Sequence, residues 1–124
     1  MTISLTLRDQ IMARPAEPSL VLHWREGVPM RLADLIRERV VLEWDRREDG
    51  AGAAGRPLVE TGASAGRAGR LARDEAVAVA LDGFRRNAFF VVVDDRQVTE
   101  LDAEIRVRAE TAITFVRLVP LVGG

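Results

Sequence analysis

The chain has 124 residues, 18 of them basic and 19 acidic, for a net charge of −1. That length suits a single domain with one core and is too short for two, and the balance of charge argues against wholesale binding to nucleic acid or to an anionic membrane. There is no cysteine, which excludes disulfides, thiolate metal sites and cysteine nucleophiles within the chain. No apolar run approaches the roughly 20 residues that span a bilayer, and the start Met1-Thr-Ile-Ser-Leu-Thr-Leu-Arg-Asp9 lacks the basic and apolar regions of a signal peptide. A cytoplasmic location is therefore expected.

Ile3, Leu5 and Leu7 alternate with Ser4 and Thr6, the period-two pattern of a half-buried strand. Pro15-Ala-Glu-Pro18 interrupts the chain, and Ser19-Leu-Val-Leu-His-Trp24 supplies a second strand, so an antiparallel hairpin with a longer loop is expected. From Met30 the period changes. Leu32, Leu35, Ile36, Val40 and Trp44 recur at three- and four-residue steps, predicting an amphipathic helix of about four turns. Asp34 near its start and Arg46-Arg47 near its end suit the helix dipole.

Between 48 and 73 the composition shifts to Gly, Ala and Arg with few large apolar side chains. Such a stretch buries too little surface to offset its ordering entropy, which predicts a flexible insertion. Its arginines 56, 67, 70 and 73 suggest a basic docking arm as the functional alternative to a solvated low-complexity loop. Val77, Ala80, Leu81 and Phe84 then share one face of a short second helix that exits at Gly83 and Asn87. Ala88-Phe-Phe-Val-Val-Val93 reads as a central strand buried on both faces. Thr99 to Ile105 reads as a short strand and turn, and Ile113 to Val119 as the last strand, which Pro120 ends.

A hairpin, a helix and then further strands is the β-grasp arrangement, a mixed sheet across one long helix. The expected fold is thus α+β, one domain over 1–124 with an extra short helix and the insertion at 48–73. Here the chain resembles a family. Val92-Val-Asp-Asp-Arg-Gln-Val-Thr-Glu-Leu-Asp-Ala-Glu-Ile105, and then Thr111-Ala-Ile-Thr-Phe-Val-Arg-Leu118 leading to Gly123-Gly124, is similar to the last third of ubiquitin-like proteins. The tail Pro120-Leu-Val-Gly-Gly124 is similar to the Pro-x-x-Gly-Gly ending of the β-grasp sulfur carriers, and departs from ubiquitin, whose tail carries arginines where this chain has Pro120 and Val122. The likeness covers about the last 35 residues well and the first 45 by element order alone; residues 48 to 73 match neither family.

The resemblance implies a substrate and not an enzyme. An activating enzyme would adenylate the Gly124 carboxylate using ATP, with Gly123 giving backbone clearance and Pro120, Leu121 and Val122 read as the tail recognised in the enzyme's channel. The chain itself would need no cofactor. Two routes then diverge: transfer through conjugating enzymes to target proteins, the route preferred here, or sulfur-transfer enzymes making a C-terminal thiocarboxylate for cofactor or tRNA thiolation. A non-reactive β-grasp interaction module is the third reading. All 18 basic residues are arginine, a composition expected of a GC-rich bacterial genome. It also means that no side-chain amine is available to receive another copy.

Other residues carry less. His23, beside Trp24, reads as a structural histidine, and Trp24 and Trp44 as residues in or beside the core. Asp94 and Asp95 read as a turn instead of a paired-carboxylate site. No glycine spacing makes a phosphate loop, no metal site is read, and nothing assembles a catalytic triad.

Overall fold

The computed structural model describes residues 1–48, 57–60, 70–118 and 121–122. The expectations placed on 49–56 and 61–69, on Pro120 and on Gly123 and Gly124 lie outside the described residues. In chain order the elements are β1 (Thr2–Ile11), β2 (Glu17–Arg25), β3 (Met30–Arg31), α1 (Leu32–Glu48), β4 (Val59–Glu60), α2 (Arg70–Arg85), β5 (Phe89–Val93), β6 (Arg96–Val98), β7 (Glu104–Ile105), β8 (Ile113–Arg117) and β9 (Leu121–Val122).

Five strands form a mixed sheet in the order β2-β1-β8-β5-β6. β1 pairs antiparallel with β2 and parallel with β8, and β5 pairs antiparallel with β8 and β6. A mixed sheet with helices on it is an α+β architecture compatible with a β-grasp fold. Ile3, Leu5 and Leu7 of β1 face a core shared with Leu35, Ile36 and Val40 of α1, Val77, Ala80 and Phe84 of α2, and Phe89, Val91, Ile113 and Phe115 of the sheet. Phe89 stands edge-on to Phe84 and stacks on Phe115, at centroid distances of 5.8 and 6.0 Å.

Local chemistry sets the ends of both helices. Asp34 Oδ2 accepts the Arg31 N–H at 3.0 Å, the reach-back half of a capping box. The next donors, Leu32 and Ala33 N–H, bond the carbonyls of Ala103 and Leu101 at 3.0 and 2.9 Å. The 101–103 turn therefore satisfies helix donors that would otherwise lack partners. At the end of α2, Asn87 adopts φ 61°, with its N–H on Phe84 O and that of Ala88 on Gly83 O. That is a Schellman cap with asparagine in the left-handed position. Asp94 and Asp95, with φ of 48° and 66°, make the two-residue β5–β6 turn, whose positive dihedrals match strand twist. Asp94 also accepts the Ala112 N–H at 2.9 Å.

Several expectations need correction. α2 has 16 residues against 17 for α1, so the second helix is not short and the sheet does not pack on one long helix alone. The helix begins upstream of the apolar pattern because Arg70, Leu71, Ala72 and Arg73 are all strong helix formers. β5 is not the central strand and is not buried on both faces. β8 occupies the centre, and Phe90 and Val92 are only half-buried, because the helices cover one face of the sheet. The 48–73 segment is in part structural: Leu58 and Val59 are 1 % and 5 % exposed and belong to the core. Two further short pairings were not legible in the pattern, β3 with β7 and β4 with β9.

Candidate functional site

The rows of inward-facing residues do not stay apolar to their ends. In β1 the row Ile3, Leu5, Leu7 continues to Asp9, and in β8 the row Ile113, Phe115 continues to Arg117. On α1 the core face runs Leu32, Leu35, Ile36, Arg39, Val40, Glu43, Trp44, so Arg39 and Glu43 sit one turn apart among apolar neighbours. Topology brings these four charges together. The Arg39 guanidinium, with no exposure, bonds both carboxylate oxygens of Asp9, Nη1 to Oδ1 and Nη2 to Oδ2, the latter at 2.7 Å. Its Cζ lies 4.6 Å from the centroid of the Phe115 ring, and its Nε lies 3.4 Å from Glu43 Oε1.

The cluster grips the described part of 48–73 by its backbone. Leu58 N–H donates to both Glu43 oxygens at 3.0 and 3.1 Å. Arg117 Nη2 donates to Pro57 O at 2.7 Å and lies 3.5 Å from Leu58 O, while Nη1 is 3.6 Å from Asp9 Oδ2. Among the described residues every buried side-chain nitrogen and oxygen has a hydrogen-bond partner. Two carboxylates and two guanidiniums so arranged fix the backbone at 57–58 against the body.

Burial pushes the Glu43 carboxyl above the ordinary value of 4.5, against the opposing pull of Arg39 and the Leu58 N–H. For Arg39, burial works to lower the pKa, but the hydrogen bond to Asp9 and the charges of Glu43 and Asp9 outweigh it, and the guanidinium is held above its ordinary range. Both directions are consistent because the Arg39 fork is spent on Asp9, leaving Glu43 a single contact at 3.4 Å. A raised folded pKa means that the folded chain binds the proton more tightly than the unfolded chain. The associated stability is present below 4.5 and is lost as pH rises through the folded value. Stability measured by urea unfolding across pH should accordingly show the wild type losing ground to Glu43→Gln as pH rises above that point. A difference that is flat, or that grows with pH, would show that Glu43 keeps its charge throughout.

The expected tail residues fall on both sides of what the structure describes. Leu121 and Val122 are paired in parallel with β4, Val59 opposite Leu121 and Glu60 opposite Val122, and α2 packs against both short strands. Pro120, Gly123 and Gly124 lie outside the described residues. The four charges of the cluster were missed in sequence, although the signal was present: polar residues at inward positions of two strands and on the core face of a helix.

Elsewhere, His23 lies on the exposed side of β2 with a ring nitrogen 3.1 Å from Ser4 Oγ across the hairpin. Trp44 is buried, and Trp24 packs against the core with its Nε1–H on Val28 O at 2.9 Å. A cleft of about 450 Å³ opens beside the exit of α2, lined by Phe84, Arg85, Asn87, Phe90, Glu100 and Asp102 among others. Among the described residues no three His, Asp or Glu side chains gather as a metal site, and no helix is long and apolar enough to cross a membrane. Compared with protein-family models, curated proteins and solved structures, the chain has no significant match.

Proposed function

We propose that this is a ubiquitin-like β-grasp protein whose Gly124 carboxylate is adenylated by an activating enzyme and then transferred to target proteins. The observation that carries the reading is the strand order β2-β1-β8-β5-β6 with β1 parallel to β8, with three residues between the end of β8 and Leu121-Val122-Gly123-Gly124. In this order the last strand of the sheet is its centre.

A carboxylate resists nucleophilic attack until one oxygen becomes part of a good leaving group. Gly124 would attack the α-phosphate of ATP and expel pyrophosphate. A thiol of the partner would then attack the acyl carbon, AMP would depart, and a target amine would take the acyl group from the thioester. This chain holds no thiol for that step and no lysine to receive the product. Sulfide in place of the thiol gives the thiocarboxylate route, which the Pro120 to Gly124 pattern supports.

Mass spectrometry of the protein recovered from its native cell tests the reading, which requires the Gly124 carboxyl to be found joined through an amide to an amine of another protein. Gly-Gly remnants on lysines of other proteins are expected for conjugation. The mass gain of one oxygen replaced by sulfur marks the carrier route instead, and a chain found only as the unreacted acid, with an active adenylating enzyme present, sinks both. A non-reactive interaction module is favoured by one observation: the face of the sheet away from the two described helices places half-buried Phe90 opposite Val116 and Val92 opposite Thr114.

A further inference from the structure

Resting on the reading above, we infer that the β4–β9 pair is a latch that parks the tail against the body, so that activation requires β9 to be released. The segment that carries β4 is then neither a passive loop nor a basic arm; it supplies the strand on which the tail rests.

Three observations carry this. First, β4 is firmly seated. Leu58 and Val59 are buried in the core, Glu43 takes the Leu58 N–H with both oxygens, and Arg117 holds the carbonyl of Pro57. Secondly, β9 is seated on β4 and against α2, so the tail is held from two directions before it reaches the glycines. Thirdly, the pairing controls reach. Gly124 stands two residues after Val122 and seven after Arg117, the end of β8. At a maximum of about 3.6 Å per residue, two residues extend about 7 Å and seven about 25 Å. An active site that surrounds both ATP and a carboxylate lies deeper than two residues can reach from a bulky body. With β9 paired, only the two residues after Val122 are left to enter an enclosed site; with β9 free, the chain after Arg117 has the length to do so. Arg117 links the two states, because it ends β8 and holds the strand that receives the tail.

The absence of native cysteine makes a direct test clean. Glu60 and Val122 are registered neighbours on adjacent strands, a spacing of about 4.8 Å that suits a disulfide. In the full chain carrying Glu60→Cys and Val122→Cys, mild oxidation without denaturant should close the bond, and a control carrying Glu26→Cys and Val122→Cys should stay reduced. A carboxypeptidase, which must also thread the tail into a pocket, should remove Gly124 and Gly123 at least about 10-fold more slowly from the oxidised form than from the same protein reduced. In the wild type, whichever of the Leu121 and Val122 amides points at β4 should be protected from hydrogen exchange. Failure of the registered cysteines to pair, lack of protection at both amides, or equal trimming of both forms would each overturn the latch. The two readings fail separately. If the latch passes these tests and Gly124 is never found joined to an amine or to sulfur in the cell, activation alone is sunk. If Gly124 is found joined to an amine while both the Leu121 and Val122 amides of the free protein exchange freely, the latch alone is sunk.

Discussion

Removal of Gly123 and Gly124 is expected to reduce acyl-adenylate formation to background, measured as ATP–pyrophosphate exchange with the activating enzyme, while the melting temperature stays at the wild-type value. A one-residue extension beyond Gly124 is the sharper form of the same prediction. It leaves every side chain in place but moves the carboxylate by about 3.5 Å. Since a misplacement of about 1 Å can already cost about 100-fold in rate, the extended chain should react at least about 100-fold more slowly. Glycine matters here for a stated reason: without a Cβ it lets the enzyme's backbone close around the tail. Unchanged partner binding and unchanged cellular phenotype after the deletion would transfer the weight to the interaction-module reading and the sheet face away from the two described helices.

The second large effect is expected at Arg39. Arg39→Met should lower the free energy of unfolding by about 3–5 kcal/mol, because it leaves Asp9 and Glu43 as neighbouring carboxylates in a site built for a cation. Arg39→Lys should recover little of that. An ammonium cannot bond both Asp9 oxygens in a planar fork or lie flat on the Phe115 ring. Adding Asp9→Asn and Glu43→Gln to Arg39→Met should restore a substantial part, since the damage is uncompensated charge more than lost volume. Urea or guanidinium unfolding measures all three. A cost below about 1 kcal/mol for Arg39→Met would mean that water reaches the cluster and screens it.

The elements built on strong periodicity were legible: the β1–β2 hairpin from Ile3, Leu5 and Leu7, the helix α1 from Leu32 to Trp44, and the strand after Ala88. The first two have a local pattern that a single face of burial imposes, and the third is a continuous apolar run of strand length. The length of α2 was misjudged because its first turn has no apolar stripe, only helix propensity in Arg70 to Arg73. β4 was invisible for a related reason. Two buried residues, Leu58 and Val59, are too few to make a period, and the glycine-rich composition around them dominates the reading.

The candidate site divides along the same line. That the chain carries a diglycine after an apolar strand, without a thiol or a side-chain amine, follows from the residues in order and needs no fold. Covalent chemistry and composition are properties of the chain itself. That Asp9, Arg39, Glu43 and Arg117 meet, and that they hold residues 57–58 beneath a strand pairing with Leu121 and Val122, was decided only by tertiary structure. A buried charge is unfavourable at each of those four positions taken alone. It becomes tolerable only when partners from two strands and a helix, far apart in sequence, converge within hydrogen-bond distance.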